Sequence, residues 1–175
     1  MQSNKFSTMN CSLARGLGLF GDGWSLLILR DLWLGVSRFD DIARNLGISR
    51  NLLTSRLKKL SQSGLIEARA YTERPPRHDY VLTEAGGELV PILAALAAWG
   101  DRHISGPGNE PMHFRHLGCD HVITPRLGFP ECGEALSADT LTAESGPGGP
   151  GDGQGIAVIA ELFAATAAAK AATRS

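Results

Sequence analysis

Apolar residues recur with helical spacing through most of the first hundred positions, and the spacing switches once to strict alternation. Leu13, Leu17 and Phe20 fall on one side of a first helix, which Gly21-Asp22-Gly23 ends. Trp24 to Leu34 reads as a second helix, apolar enough to be buried on most sides. Gly35-Val36-Ser37 breaks it. A third helix starts at Phe39 and meets a tight turn at Gly47. Ser49 then caps a fourth helix that keeps Leu53, Leu57 and Leu60 on one face, until Gly64 stops it. From Leu65 to Tyr71, Ile66, Ala68 and Ala70 alternate with Glu67 and Arg69, the period of a strand. Asp79 to Leu82 reads as its partner. The prolines at 75 and 76 predict that residues 72–78 project as a loop outside the sheet. Thr83 and Glu84 open a last long helix, to about His103, with a kink expected at Pro91. Its broad face of Leu89, Ile92, Leu93, Leu96 and Trp99 exceeds what so small a domain can bury, and dimerisation is the economical remedy. The fold class predicted is mainly α with a small β-hairpin wing, a winged helix-turn-helix with long dimerisation helices.

The fourth helix carries the chemistry. Away from its leucines stand Arg50, Asn51, Thr54, Ser55, Lys58 and Lys59, a mixture of cations and short hydrogen-bond formers. Phosphates need the first kind of group and base edges use both. Ser49, Arg50, Asn51, Thr54 and Ser55 lie on the turns that would enter a major groove, with Arg50 and Asn51 assigned to base edges. Lys58 and Lys59, farther back, suit phosphates, while Arg74 and Arg77 on the wing suit backbone or minor groove, and Arg38 joins them as a DNA-contact candidate. A merely solvated charged face is the alternative, most evenly balanced for Lys59.

The chain of 175 residues has net charge -1, which alone argues against a nucleic-acid partner. The distribution reverses that: residues 44–77 hold eight basic and two acidic side chains, a basic face on a near-neutral protein. No apolar run reaches the roughly 18 residues of a membrane span, and residues 1–10 lack the core of a signal peptide. A cytoplasmic location is expected. Cys11, Cys119 and Cys132, odd in number and scattered, form no disulfide framework. The organisation expected is an N-terminal arm (1–10), the winged helix-turn-helix domain (11–104) and an extension (105–144). A Gly/Pro-rich linker (145–155) and an Ala-rich helix (156–175) follow, the helix with an apolar patch of Ile156, Ile159, Leu162 and Phe163.

Several ordered blocks make the pattern specific. They are Cys11 with Ala14-Arg15, Gly21-Asp22-Gly23-Trp24 leading into Leu26 to Leu32, Arg38-Phe39, Ile48-Ser49, Leu53-Thr54, Arg56-Leu57 and Gly64-Leu65-Ile66. Pro75-Pro76-Arg77, Tyr80 to Gly86 and Trp99-Gly100 complete the run. Residues 11–103 thereby resemble the HxlR-type winged helix-turn-helix regulators, a branch of the MarR-like group. Ser12 departs from the proline common there, and Asp22-Gly23 from Gly-Lys. The resemblance implies a homodimeric transcriptional regulator, a repressor by preference, on a palindromic operator in double-stranded DNA, with a small molecule or oxidant as effector. Phe20, Trp24, Trp33 and Trp99 are candidates for an effector pocket, or plain core.

Cys11 stands at a helix N-terminus, which favours thiolate, and Arg15 one turn on would add to that. Some relatives sense oxidants with a cysteine here; the alternative is a small packed residue. In the extension, His116, Cys119, His121 and Cys132 have side chains suited to zinc, but Phe129 occupies the first place of the Cys-x-x-Cys-Gly knuckle that similar extensions carry. A degenerate ribbon without metal fits equally, so no cofactor is assigned. No nucleophile–base pair or phosphate-binding loop is present, since the glycines at 146–155 lack a strand and helix around them. An enzyme is not expected. The remaining alternative is a winged helix used only for protein contacts, against which the concentrated basic charge counts.

Overall fold

Gly47 decides the path of the chain through its central motif. Its φ of 61° and ψ of 23° place it in the left-handed region, which a side chain would resist. That turn closes the helix before it, whose first turn carries Asp40 and Asp41 and whose last carries Arg44, the polarity a helix dipole favours. Ser49 follows in extended conformation, and its Oγ accepts from the Leu52 amide at 3.4 Å to cap the next helix. The computed structural model describes residues 5–20, 22–73, 76–148 and 157–172. The chain divides into two units, one of Met1–Asp22 with Ala138–Ser175 and one of Gly23–Ser137.

The first unit contains a 3-10 turn at Lys5–Thr8 and helix α1, Ser12–Phe20. The second opens with α2, Gly23–Trp33, then α3, Phe39–Leu46, and α4, Arg50–Gln62. An antiparallel hairpin follows, β1 at Ile66–Glu73 and β2 at Pro76–Leu82. Next come the one-turn helix α5, Glu84–Gly87, and α6, Val90–Gly100, which runs on into a π-helical turn, Asp101–Ser105. A second short hairpin, β3 at Phe114–His116 and β4 at His121–Ile123, lies in the extension. Helix α7, Ala157–Ala172, belongs to the first unit. Ile156, the linker residues 149–155 and Arg74 lie outside the described residues.

Two expectations for the elements after α4 are corrected. The wing strands run farther than alternation indicated: Thr72 pairs with Arg77 and Glu73 with Pro76, and a register shift between Ala70 and Thr72 absorbs Tyr71. Pro76 is accommodated because it opens its strand, a position that proline tolerates. The last helix is not continuous either. Thr83 caps α5 through its Oγ, which accepts from the Gly86 amide at 3.2 Å. The chain breaks at Glu88-Leu89, and Pro91 falls in the first turn of α6, where its missing N–H costs nothing.

The core of the second unit is built where α2, α3 and α4 meet. Ile28, Leu29, Ile42, Leu53 and Leu60 are fully buried. Contrary to expectation, α2 is buried on one side only, leaving Leu27, Trp33 and Leu34 accessible. Asp31 is buried to 1% exposure. Its Oδ1 receives Arg30 Nη2 at 2.6 Å and Nε at 3.1 Å, and its Oδ2 receives Asn45 Nδ2 from α3 at 2.8 Å. A buried carboxylate is tolerable only when so satisfied. The α5 cap is equally close-fitting: Thr83 N–H donates to the Leu65 carbonyl at 3.1 Å, and Thr83 Oγ to that of Gly64 at 2.6 Å.

A Cβ on Gly86 would stand 2.1 Å from the Leu65 carbonyl oxygen, whereas one on Gly87 would meet nothing within 4 Å. Gly86→Ala is therefore expected to lower unfolding stability by about 1–3 kcal/mol or more, and Gly87→Ala to be neutral or mildly stabilising. Urea denaturation of both variants checks this, and equal effects would contradict it.

Candidate nucleic-acid interface

The geometry of α4 follows from its sequence. Leu53, Leu57 and Leu60 are buried against the core, so the opposite face, with Asn51, Thr54, Ser55 and Lys58, is turned to solvent. Thr54 Oγ1 donates back to the Arg50 carbonyl at 2.9 Å, which holds its hydroxyl beside the helix backbone. Lys59 is half-buried, nearer the edge of this face than its centre. Ser49 is exposed at the cap.

Arg50 is not an unattached cation. Its Nη1 donates to Asp40 Oδ1 at 2.6 Å, and its guanidinium carbon lies 4.8 Å from the centre of the Phe39 ring. Both partners sit in the first turn of α3, so the arginine is folded back across the helix-turn-helix. The two charged groups are 71% and 78% exposed. A pair in that setting is worth little and exchanges readily for another anion. Asp40 and Phe39 were not among the sequence candidates; ten residues separate Asp40 from Arg50, beyond the reach of any local spacing rule.

The wing is tied to α3 from outside the hairpin. Arg38 bridges to Asp79 along the backbone, Tyr80 N–H donates to the Ser37 carbonyl at 2.9 Å, and Ser37 Oγ donates to Asp79 Oδ1 at 3.0 Å. Arg38 Nε lies 3.7 Å from the same carboxylate oxygen with its side chain 61% exposed. The arginine thus stands at the root of the wing, on the side leading into the helix-turn-helix. Burial raises the Tyr80 phenol above its ordinary range. Arg77 is exposed on β2.

The other candidates separate. Cys11 is half-buried just before α1. The Arg15 guanidinium one turn on donates through Nε to the Met9 carbonyl at 2.9 Å and through Nη2 to Asn10 Oδ1 at 3.0 Å. His116 Nδ1 lies 3.2 Å from Cys119 Sγ, and His116 pairs with His121 across the β3–β4 hairpin. Cys132 is exposed in the segment that follows. Among the described residues no three His, Cys, Asp or Glu side chains converge as a metal site. Of the four aromatic candidates, Trp33 lines a cavity of about 360 Å³ between α2, α6 and the extension. Trp24 is half-buried in α2, Trp99 is exposed on α6 with its ring centre 5.1 Å from that of His103, and Phe20 belongs to the first unit.

Helix, glycine turn, capped helix and a two-stranded wing are the parts of a winged helix-turn-helix transcriptional regulator, and comparison with known proteins agrees. A family model for HxlR-like helix-turn-helix proteins matches residues 19–107. An uncharacterised HTH-type transcriptional regulator of Mycobacterium tuberculosis is 44% identical over 137 residues, covering 78% of this chain and 87% of that protein. The chain belongs to the HxlR-like family. Among solved structures, PA1607, provisionally classed as a transcription factor, superposes with a TM-score of 0.68 at 29% identity over 79% of this chain and 96% of its own. PA1374 of Pseudomonas aeruginosa, classed likewise, gives a TM-score of 0.56 at 31% identity over 85% and 99%. No described helix is long and apolar enough to cross a membrane.

Ser49→Ala removes the α4 cap and is expected to reduce stability by about 0.5–2 kcal/mol. Asp40→Ala, which breaks an exposed pair, is expected to cost no more than about 1 kcal/mol. Thermal and urea unfolding measure both; a larger loss for Asp40→Ala would mean that the Arg50 pair supports the fold rather than waiting for a ligand.

Proposed function

We propose that this chain acts as a homodimeric, sequence-specific DNA-binding regulator, a repressor by preference, on a palindromic operator. The observation that carries the reading is the composition of the exposed face of α4: hydrogen-bonding Asn51, Thr54 and Ser55 with Arg50 and Lys58, held rigid by three buried leucines behind them. The N-terminal turns enter the major groove, where Asn suits adenine and Arg suits guanine. Lys58, Lys59, Arg38 and the wing arginines meet the backbone on either side. On binding, Arg50 exchanges the Asp40 carboxylate and the Phe39 ring for a base edge or phosphate. Dimerisation buries the α6 face, where Ile92, Leu96 and Trp99 are each about half exposed, at 55%, 53% and 49%. A small molecule sets the affinity for the operator.

The test is fluorescence anisotropy of the full chain on duplex DNA from its own upstream region, against random competitor and over a salt series. Arg77→Ala should weaken binding to both DNAs and reduce the salt slope by about one, while Arg50→Ala should also relax base preference, costing roughly 1–3 kcal/mol on the operator and less on random DNA. Asp40→Asn should strengthen binding to both, because it removes a competing anion. Equal losses on both DNAs for Arg50→Ala would remove it from base reading, and binding insensitive to salt would defeat the DNA interface. Sedimentation should show a dimer that Ile92→Glu converts to monomer; a wild-type monomer that still binds operator would refute the palindromic arrangement.

A further inference from the structure

The cavity beside α2 has walls from three places. Leu27 comes from α2, Leu93 and Leu96 from α6, and Met112 and Phe114 from the extension. Phe114 stacks on Trp33 with ring centres 6.0 Å apart and planes within 8°, which fixes the extension as one wall. That wall lies beyond residues 19–107, outside the part of the chain the family model matches. At about 360 Å³ the space is within the range of small-ligand pockets, which pair apolar walls with a few polar groups. The charged groups on the lining are Arg30 and Asp101, and Ser105 adds a hydroxyl to it.

Arg30 gives the cavity its direction of signalling. Two of its donors, Nε and Nη2, both go to one oxygen of Asp31. Among the described residues its Nη1 has no acceptor. The other Asp31 oxygen takes the amide of Asn45 on α3, one residue before the helix ends and two before the Gly47 turn. A cation that lines a cavity, a buried carboxylate and the helix preceding the recognition helix therefore form one chain of charged and neutral hydrogen bonds.

We propose that this cavity binds a planar aromatic carboxylate. The ring lies among the leucines and Phe114, and the carboxylate meets Arg30; the single acidic lining residue, Asp101, disfavours ligands with a second anion. Because the ligand meets Nη1 while Nε and Nη2 stay on Asp31, it shares the guanidinium with that carboxylate. Occupied and empty forms then differ in how strongly Asp31 is held and so in how it anchors Asn45, the differential contact any ligand-driven shift requires. The regulatory half of this proposal rests on the DNA-binding reading above; the binding half does not.

The probe is 2-naphthoate, with 2-naphthamide as its uncharged twin, titrated calorimetrically into the full chain. One naphthoate per chain is expected, with naphthamide weaker by roughly tenfold or more, the loss of a charged hydrogen bond. Ala97→Trp, which fills the cavity from an exposed position on α6, should abolish binding with the circular dichroism unchanged. Arg30→Lys, which keeps a cation beside Asp31 but loses the planar fork, should weaken naphthoate and leave naphthamide alone. Saturating naphthoate should shift operator affinity by about fivefold or more, and Asn45→Ala should remove that shift while naphthoate still binds. No naphthoate binding by a chain that binds operator overturns the proposal and leaves the regulator reading intact. Binding undiminished in Ala97→Trp overturns the site. Naphthoate binding by a chain that ignores operator DNA upholds the site and defeats the regulatory half together with the regulator reading.

Discussion

A carboxylate shut away from water destabilises a fold unless both oxygens are satisfied, and Asp31 places that demand at the centre of this domain. One oxygen is held by its neighbour Arg30 and the other by Asn45 on the next helix. The demand fixes the angle between α2 and α3 more narrowly than the leucines around it, because an apolar contact tolerates sliding and a hydrogen bond of 2.8 Å does not. The position of α3 then fixes the Gly47 turn, and the turn fixes α4. The hydrogen bond from Asn45 to the buried Asp31 therefore sets the attitude of the recognition helix.

The outer face is organised on the opposite principle. Its ion pairs, Arg50 with Asp40 and Arg38 with Asp79, are solvent-exposed and individually weak. Such pairs keep long cationic side chains ordered without binding them tightly, so the cost of redirecting them to a phosphate or base is small. Rigid apolar anchorage behind and exchangeable ionic partners in front is the division of labour expected of a surface that meets a polyanion and releases it again. The net charge of the whole chain, -1, conceals this because the acidic residues are gathered elsewhere.

The helix-turn-helix was legible because its limits are set by local chemistry. Gly47 had to supply positive φ, Ser49 had to cap, and three leucines at helical spacing had to face inward. The limits of the wing were not, since two prolines argue against pairing unless one of them opens a strand, as Pro76 does. Nor was the break between α5 and α6 visible: Glu88 and Leu89 favour helix, and the interruption comes from packing of Thr83 and Gly86 against the Leu65 carbonyl. Of the aromatic residues named in the sequence, Trp33 lines the cavity beside α2, while its stacking partner Phe114, eighty-one residues away, carried no local signal. Arg30 and Asp31 entered the sequence reading only within the block Leu26 to Leu32, and their link to Asn45 carried no signal, because an acid in an apolar run looks the same in sequence whether it faces solvent or the amide of another helix.

Amide hydrogen exchange of the full chain with and without duplex DNA bearing its upstream region tests the central claim most directly. The account predicts slowed exchange in the first turns of α4 and along β1 and β2, with α6 unchanged by DNA. Slowing confined to the extension, or none at a concentration where anisotropy reports binding, would mean that another surface meets the DNA.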